Sequence, residues 1–342
     1  MTGSRTRSSL LTLLVVLFLA TGGTGLWIFF GPNTFDNPPR RVFLVSRGQT
    51  FRAIVDSLSE QGIIRSRLFF DIVARTYGDV STLRVGRYAF RSGISNAELF
   101  LTLRSGKENL LINVTVPEGS LSRTQARLFA RALGVDSVLY MALVHDSAFA
   151  QSLGVESPSL EGYLLPQTYG FNWQQDEVDV VRAEVAELQL FFSDSLKNRA
   201  RALGMTMHQV LTLASIVEGE AILDEERPTI AGVYHNRLRR RMRLEADPTI
   251  QFAIPDGPRR ILYSDLRINS PYNTYKYAGL PPGPVGNPGT ASILATLYPA
   301  SHSYLFFVAN GRGGHWFSTS YSQHMQNVRR FRRERAKGFP SG

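Results

Sequence analysis

The sequence contains no cysteine, and this absence excludes several kinds of chemistry at once. Without cysteine there is no disulfide bridge, no thiol nucleophile, no CxxC redox pair and no thiolate ligand for zinc. The chain also lacks the G-x-S-x-G elbow of serine hydrolases and the H-E-x-x-H motif of zinc peptidases. We therefore expect neither a metal nor a cofactor, since no ligand spacing is found among His145, His208, His235, His302, His315 and His324.

Acidic residues are outnumbered by basic ones, 28 to 38, which gives a formal net charge of +10. Half of this excess lies in the stretch RRFRRERAK, Arg329 to Lys337, which has six basic residues and one acidic residue. Such a cluster is typical of proteins that bind nucleic acid or another anionic partner. The other interpretation is a solvated terminal helix without a specific partner. We treat residues 329–342 as a basic C-terminal tail.

Charge is absent from residues 10–30, LLTLLVVLFLATGGTGLWIFF. As a helix rising about 1.5 Å per residue, this run is roughly 31 Å long, which matches the hydrocarbon core of a bilayer. It predicts one transmembrane helix after a cytoplasmic tail of residues 1–9. A cleaved signal peptide is the alternative, but the apolar run continues past the small residues ATGG to Phe30. Everything from residue 31 onward would then be exported, which makes nucleic acid an improbable partner.

The exported part begins with a proline-rich segment, GPNTFDNPPR at residues 31–40, which predicts an extended linker. A strand, a glycine turn and an amphipathic helix follow, and Ile54, Val55 and Leu58 share one helical face. The same order recurs about 70 residues later in LINVTVPEGSLSRTQARLFARALG. This recurrence is either a duplication or the repeated use of a common unit. Further on, the pattern from Asp176 to Leu203 predicts one long helix, and the fold class expected is α+β.

Two glutamates, Glu218 and Glu220, lie in the apolar stretch LTLASIVEGEAILDEER. Burying an unpaired carboxylate is costly, so such a group is protonated, paired or used for chemistry. On a helix the two side chains point in nearly opposite directions, and spacing alone does not say which one is chemical. The structural alternative is an ion pair with an arginine such as Arg227 or Arg237. Residues 244–289 are rich in proline, glycine, tyrosine and small polar residues, which suits sugar binding, and a shielded glutamate suits a glycosidic general acid.

Several linked stretches carry a resemblance to a known family. They are LEGYLLPQTY, LASIVEGEA, ERPTIAGVYHNRL, MRLEADPTIQF, SPYNTYKYAGLPPGPVGNPG and GGHWFSTSYSQH, in this order. Over residues 41–328 the chain resembles the endolytic murein transglycosylases (MltG, YceG-like). Three positions depart from the family pattern: Gly219 replaces a usual lysine, Arg243 a frequent proline and Asn269 a common aspartate. Gly219 should also weaken its helix by roughly 1 kcal/mol relative to alanine.

The resemblance implies a lytic transglycosylase, a carbon–oxygen lyase, anchored in the bacterial inner membrane with its catalytic domain in the periplasm. A LysM-like module at residues 41–115 would precede a catalytic region at 116–328, whose core is about 176–328. The enzyme would cleave the MurNAc–GlcNAc β-1,4 bond of nascent peptidoglycan, leave 1,6-anhydroMurNAc ends and so terminate strand elongation. Glycan strands and peptidoglycan synthases are its expected partners. In the family pattern the first glutamate is catalytic, which corresponds to Glu218.

A single carboxyl can serve this reaction, because the C6 hydroxyl of the sugar acts as an internal nucleophile. Glu218 would donate a proton to the glycosidic oxygen and then accept the proton of that hydroxyl. The candidates for substrate binding are Glu220, Asp247, Tyr272, Asn273, Thr274 and Tyr275. Asp247 is equally suited to be a cap or turn residue before Pro248, and the tyrosines to be core residues. The rival interpretation is a non-catalytic, membrane-anchored scaffold that binds peptidoglycan.

Overall fold

The computed structural model describes residues 3–36, 38–255, 257 and 259–336, with side chains from residue 12 onward. The chain forms two compact units. Unit 1 comprises Met1–Asn113 and Gly170–Gln175, and unit 2 comprises Val114–Tyr169 and Asp176–Gly342. The predicted α+β fold class is confirmed, since both helices and strands are present. The assignment of residues 41–115 as a LysM-like module stays a prediction.

Unit 1 begins with a long helix and continues as a small α+β assembly. The helices are α1 (Gly3–Phe30), α2 (Phe51–Glu60), α3 (Arg67–Tyr77) and α4 (Asn96–Ser105), and the strands are β1 (Pro32–Asn33), β2 (Arg40–Val45), β3 (Gly86–Arg91) and β4 (Ile94–Ser95). β2 pairs with β3 and β1 with β4, both antiparallel. α2 is the predicted amphipathic helix, and Ile54, Val55 and Leu58 are buried. The Thr50 side chain caps its start by accepting from the backbone N–H of Ala53.

The N-terminal helix fits a membrane span in length and composition. Its stretch Thr12–Phe30 has a mean hydropathy of 2.1, and none of it is buried within the protein. Signal sequences share these properties, so the described helix extends over the predicted span without deciding between an anchor and a signal. Its last residues contact the rest of unit 1, because the carbonyl of Ile28 accepts a hydrogen bond from Asn96.

Part of the segment predicted as a linker is packed into unit 1. Asn33 is buried, and its Nδ2 donates to the carbonyl of Ile94 and to Oδ1 of Asn96. Phe35 is buried in the core. The proline content correctly excluded a helix here, but the strand pairing and the buried amide depend on partners 60 residues away and are not visible in the local sequence.

Two short strands, β5 (Ile112–Thr115) and β6 (Thr168–Phe171), pair with each other, and the boundary between the units falls within both. The remainder of unit 2 is mainly helical. Its helices are α5 (Ser122–Leu133), α6 (Ser137–Val144), α7 (Ser147–Ser152), α8 (Glu177–Phe191), α9 (Asp194–Ala202), α10 (Met207–Glu220), α11 (Arg227–Arg239), α12 (Asp247–Ala253), α13 (Thr290–Leu297) and α14 (Tyr321–Ala336). An antiparallel hairpin of β7 (Phe306–Ala309) and β8 (His315–Ser318) completes it.

The single helix predicted from Asp176 to Leu203 is instead two helices, α8 and α9. Phe192 has a non-helical backbone with ψ of 60°, and Ser193 is extended. Phe192 is fully buried, so tertiary packing of this ring accompanies the break. The helical spacing of the apolar residues continues across the break, which is why the sequence pattern did not reveal it.

The basic stretch at the C-terminus is helical as far as the structure describes it. α14 continues to Ala336, and Lys337 onward lies outside the described residues. Arg330 pairs with Glu334 one turn away and lies over the ring of Trp316, 4.3 Å from its centroid. The stretch is therefore helical up to Ala336, and a helix is compatible with both interpretations of the basic cluster.

Candidate active site

The two glutamates lie in the last turn of α10, where this helix emerges from the core of unit 2. Thr206 and Gln209 form a capping box at its start, and every residue from 210 to 217 is buried. α10 packs against α11, α12 and α13. A carboxylate at the C-terminal end of a helix meets the negative end of the helix dipole, so each glutamate requires favourable partners.

Glu218 is held by one side chain and one backbone group. Its Oε1 accepts a hydrogen bond from Nη1 of Arg227 at 2.8 Å, and its Oε2 accepts one from the backbone N–H of Gly289 at 3.0 Å. The Glu218 side chain is 6% exposed. The ion pair with Arg227, which the sequence left open as the structural alternative, is therefore present. Arg237, the other arginine considered, pairs with Glu245 at 3.0 Å.

Arg227 is not dedicated to Glu218. Its Nε lies 3.1 Å from Oδ1 of Asp224, and its Nη2 lies 3.7 Å from Oε2 of Glu118. Its Nη1 also donates to the hydroxyl of Ser292. Burial raises the pKa of Glu118, and the negative charge of Glu218 raises it further. One guanidinium thus faces three carboxylates and does not neutralise them all.

A cavity of about 630 Å³ is lined by Gly219, the residue after Glu218, and by Gly119. Gly119 forms part of its wall at a φ of +72°, and a Cβ on this residue would lie 3.2 Å from Cγ of Glu218. The absence of a side chain at Gly119 therefore lets its backbone approach the glutamate closely. The remaining wall is formed by residues of five segments: Ser120, Leu121, Thr124, Ser215, Gly219, Asp247, Pro248, Gln251, Phe252, Arg260, Ile261 and Val285.

Glu220 lies on the other side of α10 and faces a second, more polar cavity of about 410 Å³. Its Oε1 accepts hydrogen bonds from the hydroxyl of Tyr234 and the backbone N–H of Asp247, both at 3.1 Å. Burial raises the pKa of Glu220 to about 7, and the charge of Asp247 adds to this effect.

Asp247 connects the two cavities, because it lines both. It is the first residue of α12, and its Oδ1 accepts a hydrogen bond of 2.6 Å from the hydroxyl of Tyr275. Glu220, Asp247 and Tyr275 therefore lie together, and their role in substrate binding stays a prediction. The structure also explains Gly219: a Cβ there would lie 2.5 Å from Cγ of Pro248, so α12 packs directly against the glycine.

Three other predicted substrate contacts have structural roles. Asn273 is fully buried, and its amide donates to the carbonyls of Leu266 and Ile268. Thr274 is also buried, and its hydroxyl accepts from the backbone N–H of Ala246. Both side chains use their polar groups within the fold, so we correct their assignment from substrate binding to scaffold.

Tyr272 packs on Phe252, with ring centroids 4.7 Å apart, and belongs to the rim of the core cluster around α10. Core packing was the alternative for the tyrosines, and it describes this one.

Two residues of the site were missed by sequence reasoning. Glu118, in the stretch VPEGS, was not considered, although it directly precedes the turn glycine Gly119. Asn287 is fully buried: its Oδ1 accepts from the backbone N–H groups of Gly162 and Leu164, and its Nδ2 donates to the carbonyl of Ser120. Its position in the NPG turn of the glycine-rich segment was the available signal. Among the described residues, no three histidine, aspartate or glutamate side chains are grouped to hold a metal ion.

Comparison with known proteins places the chain in a family. Residues 43–330 match the YceG-like family, so this protein belongs to it, and the family predicted from the sequence is confirmed. A crystal structure of a putative YceG-like protein from Listeria monocytogenes superposes with a TM-score of 0.60 at 27% identity, covering 84% of this chain and 98% of that one.

Two curated relatives carry the name "Endolytic murein transglycosylase". The protein from Bacillus subtilis (strain 168) is 31% identical over 295 residues, which are 82% of this chain and 81% of the relative. The protein from Streptococcus pneumoniae serotype 2 (strain D39 / NCTC 7466) is 28% identical over 320 residues, which are 83% of this chain and 57% of that longer protein. These names agree with the class of enzyme predicted from the sequence.

Proposed function

We propose that this protein is an endolytic murein transglycosylase that cleaves the MurNAc–GlcNAc β-1,4 bond within glycan strands and leaves 1,6-anhydroMurNAc ends. Family membership and the names of the relatives support the reaction class. The observation that carries the proposal is the position of Glu218. Its side chain is shielded and adjoins Gly119, which lines a cavity of about 630 Å³. The arginine that binds its carboxyl is shared with other acids.

In the proposed mechanism Glu218 acts first as an acid and then as a base. The protonated carboxyl donates to the glycosidic oxygen as the bond between this oxygen and C1 breaks. The C6 hydroxyl of MurNAc then attacks C1, and its proton returns to Glu218, so no water is consumed. The tethered hydroxyl has a high effective concentration. Arg227 and the N–H of Gly289 stabilise the carboxylate that exists between the two proton transfers.

Substrate positioning is assigned to the residues that meet between the cavities. Asp247 is exposed to solvent, and it lines both cavities. Its negative charge favours the positive charge that develops on the sugar ring in the transition state. Glu220 and Tyr275 orient Asp247 by hydrogen bonds to its backbone N–H and its carboxylate. Tyr272 borders the site, whereas Asn273 and Thr274 hold the loop in place.

The proposal includes the cellular setting. Residues Thr12–Phe30 would anchor the protein in the bacterial inner membrane with the N-terminus in the cytoplasm, so that the enzyme acts on the periplasmic side. There it would cleave nascent strands beside peptidoglycan synthases and so terminate elongation. Residues 41–115 would serve as the LysM-like module. Fractionation of cells with and without residues 10–30 tests the anchor, since the truncated protein should leave the membrane fraction.

The activity is tested by digesting purified glycan strands with wild type and Glu218→Gln and measuring product masses. Anhydro ends are lighter than hydrolytic ends by one water, so the two reactions are distinguished directly. Wild type should give anhydro ends, and the variant should lose activity by at least about 100-fold because the proton donor is gone. Glu156→Gln, an exposed glutamate of unit 2, provides the matched control. Hydrolytic ends, or full activity of Glu218→Gln, would refute the assignment.

The second candidate is a non-catalytic scaffold that binds peptidoglycan, in which Glu218 is structural. The ion pair between Glu218 and Arg227 is the observation that favours it. This candidate predicts saturable binding of the wild-type protein to glycan strands without release of soluble fragments at any pH.

A further inference from the structure

We propose that Glu118 is a positioning carboxylate of the Glu218 site, because it shares Arg227 with Glu218 and so counteracts the tendency of this arginine to keep Glu218 ionised. The inference rests on the proposed function, since it concerns how Glu218 retains the proton that it must donate. It also answers the objection that the ion pair raises, because an acid bound by an arginine of its own would be a poor proton donor.

The geometry of Arg227 distributes one positive charge over three acids. Nη1 is 2.8 Å from Glu218, Nε is 3.1 Å from Asp224, and Nη2 is 3.7 Å from Glu118. The guanidinium is rigid and planar, so its three nitrogens cannot all donate to a single carboxylate. Arg227 itself is buried, which keeps these interactions from being fully screened by water.

Glu118 and Glu218 also lie against the same backbone position. The N–H of Gly289 donates to Oε2 of Glu218, while a Cβ on Gly289 would lie 2.1 Å from Cδ of Glu118. The residue after Glu118, Gly119, approaches Cγ of Glu218. Gly289 is the N-cap of α13, so both acids lie at the positive end of this helix. A side chain at this position would displace the carboxyl of Glu118 from where it lies.

Charge counting shows which acid influences Glu218. With all groups ionised, one arginine faces three carboxylates and the cluster carries a net charge of −2. The Asp224 side chain is 83% exposed, so water screens it, whereas that of Glu118 is 44% exposed. Glu118 is therefore the negative charge that most favours a proton on Glu218. The converse effect is present as well, since the charge of Glu218 raises the pKa of Glu118.

These contacts define separate roles for the two acids. In the proposed function Glu218 is the acid that reacts with the substrate, while Glu118 acts through Arg227 and does not react. Before proton donation, the charge of Glu118 favours the protonated form of Glu218. After donation, Arg227 stabilises the carboxylate until the proton of the C6 hydroxyl arrives.

The test is the pH profile of kcat/KM for the full-length protein with purified glycan strands. Glu118→Gln removes the charge at nearly constant shape. The basic limb of the profile should therefore move to lower pH by about 1 unit, because a neighbouring like charge shifts the pKa of a carboxyl by this order. Glu118→Asp keeps the charge and should keep the limb near its wild-type position. Glu156→Gln, an exposed glutamate of unit 2, should leave the profile unchanged.

A second readout does not depend on activity. In protein labelled with ¹³C at the glutamate side-chain carboxyls, the Glu218 signal is identified by its loss in Glu218→Gln, and its titration midpoint should fall in Glu118→Gln. A midpoint that stays or rises, or one that Glu118→Asp lowers equally, would overturn the inference even if the enzyme is active. If wild type releases no anhydro product, the proposed function fails while this titration still decides the coupling of Glu118 to Glu218.

Discussion

The buried glutamate Glu184 leads to a prediction of how stability depends on pH. Glu184 lies on α8 with no exposed surface, and its Oε2 is 2.6 Å from the hydroxyl oxygen of Tyr140. Burial raises the pKa of Glu184 to about 8. The Tyr140 hydroxyl is also 3.2 Å from Oε1 of Gln125, whose amide donates to the carbonyl of Leu164. A protonated Glu184 can donate to Tyr140, which then donates to Gln125, so the neutral form satisfies this chain of hydrogen bonds.

The perturbation is Glu184→Gln, which keeps the shape and a donor but removes the titration. In the unfolded chain a glutamate releases its proton near pH ~4.3. Between that pH and the folded pKa of about 8, the folded protein holds one proton more than the unfolded chain. The free energy of unfolding of wild type therefore falls by about 1.4 kcal/mol per pH unit as pH rises. Over the whole interval the loss is at most about 5 kcal/mol, because relaxation and water entry reduce the cost of a buried charge.

The assay is thermal unfolding of both proteins at pH 5 and pH 9. At pH 5 the variant should be within about 1 kcal/mol of wild type, and at pH 9 it should be more stable by about 2–5 kcal/mol. For a protein of this size 1 kcal/mol corresponds to about 2–4 °C in Tm, so a gap of at least ~4 °C should open. Glu187→Gln, on the same helix but less buried, is the control and should show a smaller change. A Tm difference that is independent of pH would refute the reasoning.

Three further substitutions test the packing around the site. Gly219→Ala gains helix propensity but forces a Cβ into the ring of Pro248. The Tm should therefore fall by the equivalent of about 1–3 kcal/mol, and a more stable variant would contradict this. Asn287→Ala leaves several buried backbone groups without a partner. Urea unfolding should show that the free energy of unfolding falls by at least about 3 kcal/mol. A fall below about 1 kcal/mol would count against the role assigned to this side chain. Tyr275→Phe removes the hydrogen bond to Asp247. KM for glycan strands should therefore rise up to about tenfold with little change in Tm. An unchanged KM would show that Tyr275 does not help to position the substrate.

Local pattern was sufficient for many elements of the fold. The apolar spacing around Ile54, Val55 and Leu58 located α2, and the uncharged run before Phe30 located the N-terminal helix. It was insufficient where a distant partner decides the backbone. The pairing of Asn33 with β4 depends on residues far away in the chain, and the break at Phe192 accompanies full burial of its ring. Helical spacing and proline content carry no information about such partners.

For the site, the sequence by itself determined that α10 ends in two acids within an apolar helix, and that proline- and glycine-rich chain follows them. It also determined the family, through several ordered motifs. Only the tertiary structure decided that Glu218 meets Arg227 and Gly289, that Glu118 joins them from 100 residues away, and that Asn273 is scaffold. The physical reason is that the proton affinity of a carboxyl depends on its burial and on the charges within a few ångströms, and neither is a property of its neighbours in sequence.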